Sequence, residues 1–136
     1  MRTPLLLALA AVAAAAVPAA AAPSDHRVAC LTARGDVGRV APAACRMLGL
    51  GLGDLGDFNL RNLRWTGWGT ATARATGVVR TIPFEGDVVT TTPARVVLFR
   101  QRAGCGGRRW YTRARVSLRG GVPLQLRLPT CPGPRT

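Results

Sequence analysis

A two-residue alternation of apolar and polar positions runs through the last third of the chain. Between Arg108 and Pro129, Trp110, Thr112, Ala114, Val116 and Leu118 alternate with Tyr111, Arg113, Arg115, Ser117 and Arg119, and the period returns at Val122, Leu124, Leu126 and Leu128. This spacing predicts two half-buried strands joined as a hairpin. A two-residue Gly120-Gly121 loop would set one strand's apolar positions against the other's polar ones, because directly opposite residues share a face. A three-residue loop, Arg119-Gly120-Gly121, removes the conflict. It pairs Leu118 with Val122, Val116 with Leu124 and Ala114 with Leu126, with Gly121 as the left-handed residue. One face is then apolar, and the other carries Tyr111, Arg113, Arg115, Gln125 and Arg127, with Arg113 facing Arg127.

Upstream, the same logic predicts a strand over Phe58–Thr66, followed by the compact stretch Trp65-Thr66-Gly67-Trp68-Gly69. In the next segment Ala71, Ala73, Ala75, Gly77 and Val79 share one face. A row this small needs a large cover, and Trp65 or Trp68 is expected to lie across it, with Gly69 in the turn between. Gly77 is the expected place for a bulge. The run from Ala94 to Gln101 is apolar on both sides at Val96, Val97, Leu98 and Phe99, which suits a central strand. Residues 22–57 read instead as a Gly- and Pro-rich segment, with a loose terminus up to Arg27 and a loop between Cys30 and Cys45. No helical period of ten residues follows the N-terminal apolar run. The prediction is an all-β fold, a small antiparallel sandwich or barrel over 58–131, with 132–136 a disordered tail.

The first 21 residues change the compartment. One arginine, an apolar run from Leu5 to Val17 and an Ala19-x-Ala21 ending read as a secretory signal peptide cleaved before Ala22. The run is short for a membrane span, and no other stretch is apolar enough to cross a bilayer. In an exported chain of this size four cysteines read as two disulfides. Cys105 precedes the first hairpin strand and Cys131 follows the second, so antiparallel pairing brings them together; of the three possible connectivities the expected one is Cys30–Cys45 with Cys105–Cys131. No C-x-x-C pair is present and the sole histidine is His26, so no metal site and no cofactor is expected.

The formal charge is +13, and every basic residue is arginine. Such a chain is drawn to polyanions in a salt-dependent manner. The candidate binding strip is the polar face of the hairpin, Arg109, Tyr111, Arg113, Arg115, Arg119 and Arg127, in which guanidinium forks match oxyanions and Tyr111 supplies a stacking ring. Its partner is expected to be an anionic polymer or cell surface rather than a specific nucleic acid. Catalysis has less to work with. The sole candidate base is His26, and the acids Asp36, Asp54, Asp57, Glu85 and Asp87 include only one close couple, Glu85 and Asp87, at a turn. A non-enzymatic binding domain is the reading, with a small extracellular enzyme as one alternative. Gly51, Gly53 and Asp54 form one imperfect copy of a calcium-binding nonapeptide, which cannot build a stacked ligand set, and the functional alternative for Trp65 with Trp68 is a paired sugar-stacking platform.

Trp65-Thr66-Gly67-Trp68-Gly69, the small-residue strand ending Ala75-Thr76-Gly77, and Cys105-Gly106-Gly107-Arg108 before an aromatic strand together resemble small secreted proteins of unknown function from high-GC Gram-positive bacteria. That resemblance implies export and a β-rich fold, and no activity. The fifteen-residue step from Cys30 to Cys45 over a Pro/Gly loop is similar to the first disulfide of the subtilisin-inhibitor family of exported protease inhibitors. This likeness implies a protease partner and a rigid exposed loop, for which Arg102–Arg108 around Cys105 is the candidate.

Overall fold

The computed structural model describes residues 25–48, 57–81 and 89–131. The segment read as a signal peptide, the Gly51–Asp54 pattern, Glu85, Asp87 and residues 132–136 lie outside the described residues. Eight strands follow in order: β1 His26–Thr32, β2 Gly35–Arg39, β3 Cys45–Leu48, β4 Asp57–Thr66, β5 Ala73–Thr81, β6 Thr90–Ala103, β7 Arg109–Leu118 and β8 Leu124–Arg127. A 3-10 turn, Cys105–Gly107, joins β6 to β7, and no α-helix occurs among the described residues. The all-β prediction therefore holds.

One sheet runs β2-β1-β7-β6-β5-β4-β3, with β8 added to β7. All pairs are antiparallel except β1 with β7, where His26 and Arg27 run parallel to Arg109 and Trp110. The outer edge of β7 is thus shared, by β1 along its first residues and by β8 from Arg113 to Val116. The sheet curls into a half-barrel, and the Cys30–Cys45 disulfide joins β1 near one edge to β3 at the other. Its concave side holds the core, in which Val28, Met47, Leu60, Val96, Leu98, Ala114, Val116 and Leu126 are fully buried.

Residues 26–39, read from sequence as a loose terminus and a loop, are instead a β-hairpin within the same sheet. Val28 and Cys30 alternate into the core, and Thr32 Oγ1 closes the turn by donating to the Gly35 carbonyl at 2.8 Å. The prediction failed because so short an alternation, interrupted by glycines and charges, carries little periodic signal.

The hairpin register is as predicted, with Val116 opposite Leu124, Ala114 opposite Leu126 and Arg113 opposite Arg127. Two details differ. Leu118 does not pair with Val122, which is 83% exposed, since Pro123 has no N–H with which to extend the ladder. The left-handed glycine is Gly120 (φ +76) rather than Gly121; the turn closes by Gly121 N–H donating to the Leu118 carbonyl at 3.0 Å, which puts Gly120 at its third position.

Gly77 does lie opposite a bulge, but the extra residue is on β4. Arg61 pairs with Val78 and Arg64 with Thr76, so Asn62 and Leu63 together oppose Gly77. Asn62 takes the left-handed conformation (φ +52), and the Leu63 N–H turns away to the Ala43 carbonyl at 2.8 Å. Trp65 sits directly opposite Ala75, so the expected cover over the small-residue row is present. Its indole N–H donates to the Pro42 carbonyl at 2.8 Å, fixing the ring.

The largest departure from the sequence pattern lies in β6 and β7. Val96 and Leu98 face the core, yet beyond Arg100 it is Gln101 that turns inward, donating to the Thr70 carbonyl at 2.6 Å. Its partner across the ladder, Tyr111, is 0% exposed. The inward phase changes in both strands at one level, so the register is the same on either side. Arg100 (φ +53) is the hinge, and Thr112 Oγ1 holds it by donating to the Arg100 carbonyl at 2.6 Å. A left-handed backbone at a residue other than glycine costs about 1–2 kcal/mol, so the fold retains this kink against a local penalty.

Trp110 is consequently displaced from the main core. It is buried on the opposite side of β7 against Gly38 and Gly104, with its indole N–H 3.4 Å from the Cys105 carbonyl. The Cys105–Cys131 disulfide closes this end of the sheet, as predicted from the hairpin.

Candidate anion-binding face

The ladders of β4 to β8 place the outward residues in rows. One row runs Arg64, Thr76, Arg95, Ser117; the next runs Thr66, Arg74, Val97, Arg115, Gln125; a third runs Phe99, Arg113, Arg127. Arginines alternate with neutral residues across the strands in the first two, so like-charged cross-strand neighbours there lie on the diagonal or two strands away, about 10 Å, while Arg113 and Arg115 follow each other two residues apart along β7, about 7 Å. The one direct like-charge pair is Arg113 with Arg127, an unfavourable arrangement on any sheet. No acidic residue occupies a position in these rows.

The face is not flat. Arg64, Thr66, Arg74, Thr76 and Arg95 line a depression of ≈ 390 Å³. Thr76, Arg95, Ser117 and Arg119 rim another of ≈ 500 Å³. Between them and the β8 edge, Arg115 lies over the Phe99 ring at 5.9 Å, a cation–π contact that shields half-buried Phe99 from water.

A third concavity of ≈ 440 Å³ lies where the β6–β7 kink meets the strand leading to Cys131. Arg100, Arg102, Thr112, Arg113, Arg127 and Thr130 line it. The proton affinity of Arg113 is lowered, first by its desolvation and then by the positive charges of Arg127, Arg100 and Arg102. Four guanidinium groups therefore converge on one space.

Of the residues anticipated from sequence, the structure brings Arg113 and Arg127 together as expected. Arg115 shares their face and Arg119 stands on the rim beside Arg95. Arg109 is exposed at the start of β7, opposite Ala103 and outside the rows. Tyr111 must be withdrawn from the strip. The β6–β7 phase change turns it into the core, where its hydroxyl donates to the Thr70 carbonyl at 2.7 Å and accepts from the Gly69 N–H at 3.0 Å. It offers no ring to a ligand.

Sequence reasoning missed Arg64, Arg74, Arg95, Arg100 and Arg102. The first three were legible as outward residues of strands that had been identified, but the order of those strands in the sheet was not. Arg100 falls within the run Ala94–Gln101 but was given no place in the strip, and Arg102 falls in the Gly-rich turn read after that run. The adjacent pair Trp110-Tyr111 was the available signal: a strand of strict period two has no inward place for two consecutive large rings.

Other anticipated chemistry fares differently. Trp65 and Trp68 meet edge to face, with ring centroids 5.1 Å apart and planes at 71°, so they do not make a coplanar sugar platform. Trp68 also meets Tyr111 edge to face at 5.3 Å, and Gly69 (φ +86) bends the chain so that its N–H reaches the Tyr111 hydroxyl. His26 is 2% exposed in β1, with its ring centroid 6.0 Å from that of Tyr111, rather than in a loose terminus. Asp25 pairs with Arg108 at 3.5 Å, away from the rows. The Cys105–Gly107 loop is exposed and clamped, but left-handed Gly106 and Gly107 (φ +74 and +66) make it a tight turn instead of an extended segment. Among the described residues no group of three or more His, Cys, Asp or Glu side chains is placed to hold a metal ion, and no helix is long and apolar enough to cross a membrane.

Set against family models, curated proteins and solved structures, the chain matches none. The residues themselves must therefore carry the functional argument.

Proposed function

We propose that this protein is an exported, non-enzymatic binding domain that holds a flexible anionic polymer against the outer face of β4–β8. The observation that carries the reading is the row pattern: six arginines, Arg64, Arg74, Arg95, Arg113, Arg115 and Arg127, interleaved with Thr, Ser and Gln and with no carboxylate among them. An ordinary solvated sheet face mixes both signs of charge. A face of one sign raises the local concentration of oppositely charged ligand, and the Thr and Ser hydroxyls offer further hydrogen bonds to its oxygens. Two disulfides are compatible with an oxidising compartment, which together with the N-terminal apolar run supports export.

A polymer suits the face better than a lipid surface. Membrane-surface binders insert apolar side chains, whereas Val97 and Phe99 are half-buried between arginines, and the exposed large apolar residues Val40, Val89 and Val122 lie outside the rows. The test is the salt dependence of binding to a linear polyphosphate. With up to six contacts to a flexible single chain, the slope of log K against log salt is expected near −4, at about −0.7 per contact. A slope near zero rejects the reading.

A further inference from the structure

We propose that the cavity lined by Arg100, Arg102, Arg113 and Arg127 is a receptor for one phosphomonoester dianion, the phosphorylated end or branch of an anionic chain. Each guanidinium presents a planar fork of N–H donors matched to two oxygens. Four of them around one space of ≈ 440 Å³ exceed what a phosphodiester can use, since it brings a single charge and two free oxygens. A monoester brings nearly two charges and three terminal oxygens. Among the described residues no ion pair or hydrogen bond engages these four guanidinium groups.

The backbone adds a second, independent observation. Arg100 is held left-handed (φ +53) by the Thr112 hydroxyl, a conformation that glycine or asparagine adopts more readily. The chain instead places a long cationic side chain at this strained point, and the kink delivers that side chain to the cavity. Strain retained where a ligand group is presented is the pattern expected of a binding site. The inference rests on the polyanion reading only for the carrier of the phosphate; the cavity itself is tested with small probes.

The experiment titrates the full chain with inorganic phosphate, phenyl phosphate and phenyl sulfate by calorimetry. One site is expected to saturate with both phosphates, and phenyl sulfate, a monoanion, to bind at least about fivefold more weakly. Arg100→Asn keeps the backbone conformation, so its thermal midpoint should match or exceed that of the parent while phosphate affinity falls about tenfold or more. Arg127→Gln should lose as much, whereas Arg34→Gln with Arg39→Gln, exposed and outside both the rows and the cavity, should stay within about twofold of the parent. No saturation up to about 10 mM phosphate, full affinity in Arg100→Asn, or sulfate binding equal to phosphate would each overturn the proposal. Heparin retention is scored in parallel, so a chain that still holds the polymer but not the small phosphates overturns the cavity alone.

Discussion

Replacing Tyr111 by Phe removes one oxygen from the interior and tests whether the β6–β7 phase change is real. The hydroxyl donates to the Thr70 carbonyl at 2.7 Å and accepts from the Gly69 N–H at 3.0 Å, so the substitution deletes two hydrogen bonds. Their consequences differ. The Thr70 carbonyl keeps the Gln101 side-chain amide at 2.6 Å and stays satisfied, so that loss is about 1 kcal/mol. The Gly69 N–H has no second acceptor among the described residues; being half-buried, it loses about another 1 kcal/mol, less than a fully enclosed donor would. The sum of about 2 kcal/mol corresponds to a fall of about 8 °C in the thermal midpoint for a domain of this size. Differential scanning calorimetry on the oxidised protein measures it. Gln101→Leu alone should cost less, because Tyr111 still serves Thr70. The double variant leaves the carbonyl with neither donor and should cost about 1 kcal/mol more than the two singles together. A Tyr111→Phe midpoint within about 2 °C of the parent refutes the argument, since that is the result for a tyrosine facing water beside Arg113, as uninterrupted alternation would place it.

Further expectations concern what holds the kink and the edges in place. At Gly104 an added Cβ would lie 2.5 Å from the Thr130 carbonyl oxygen and run into the Trp110 ring, so Gly104→Ala should destabilise by about 2 kcal/mol or more and increase Trp110 fluorescence sensitivity to quenchers. At Gly77 a Cβ would meet the Arg61 carbonyl oxygen at 2.6 Å, and Gly77→Ala should cost a similar amount by displacing the β4 bulge, read as a lowered denaturant midpoint. Removing the Cys105–Cys131 bridge, which spans 26 residues, should cost about 3.5 kcal/mol on the chain-entropy estimate and weaken phosphate binding, because Thr130 and Arg127 lie just before Cys131. Unchanged affinity in that variant would mean that the strand β8 positions the cavity unaided.

The elements that the sequence specified most clearly are those in which a strict period of two meets a consistent turn. Strand β4, strand β5 and the β7–β8 register follow from Leu60, Ala73, Ala75, Ala114, Val116 and Leu126, all buried. The Cys105–Cys131 disulfide follows from where its cysteines flank the β7–β8 hairpin, and Cys30–Cys45 is the pairing that remains. The β1–β2 hairpin was hidden because only Val28 and Cys30 mark its inward side before glycines intervene. The kink near the end of β6 was hidden because Arg100-Gln101 continues the strand with no glycine or proline to mark a break, and nothing in the letter R announces a left-handed backbone. Half of the candidate face was therefore visible as a hairpin. Its other half depends on which strands lie side by side, a property set by long-range pairing rather than by local pattern.

Two charge-matched variants compared on a heparin column test the central claim most directly. One removes Arg64, Arg74 and Arg115 from the rows by substitution with Gln; the other makes the same change at Arg34, Arg39 and Arg109, which are exposed but outside them. Net charge falls equally in both. The account predicts that the first elutes at much lower salt than the parent and that the second elutes close to it. Elution of the two variants at the same salt would contradict it, because retention would then follow total charge and not the outer face of the sheet.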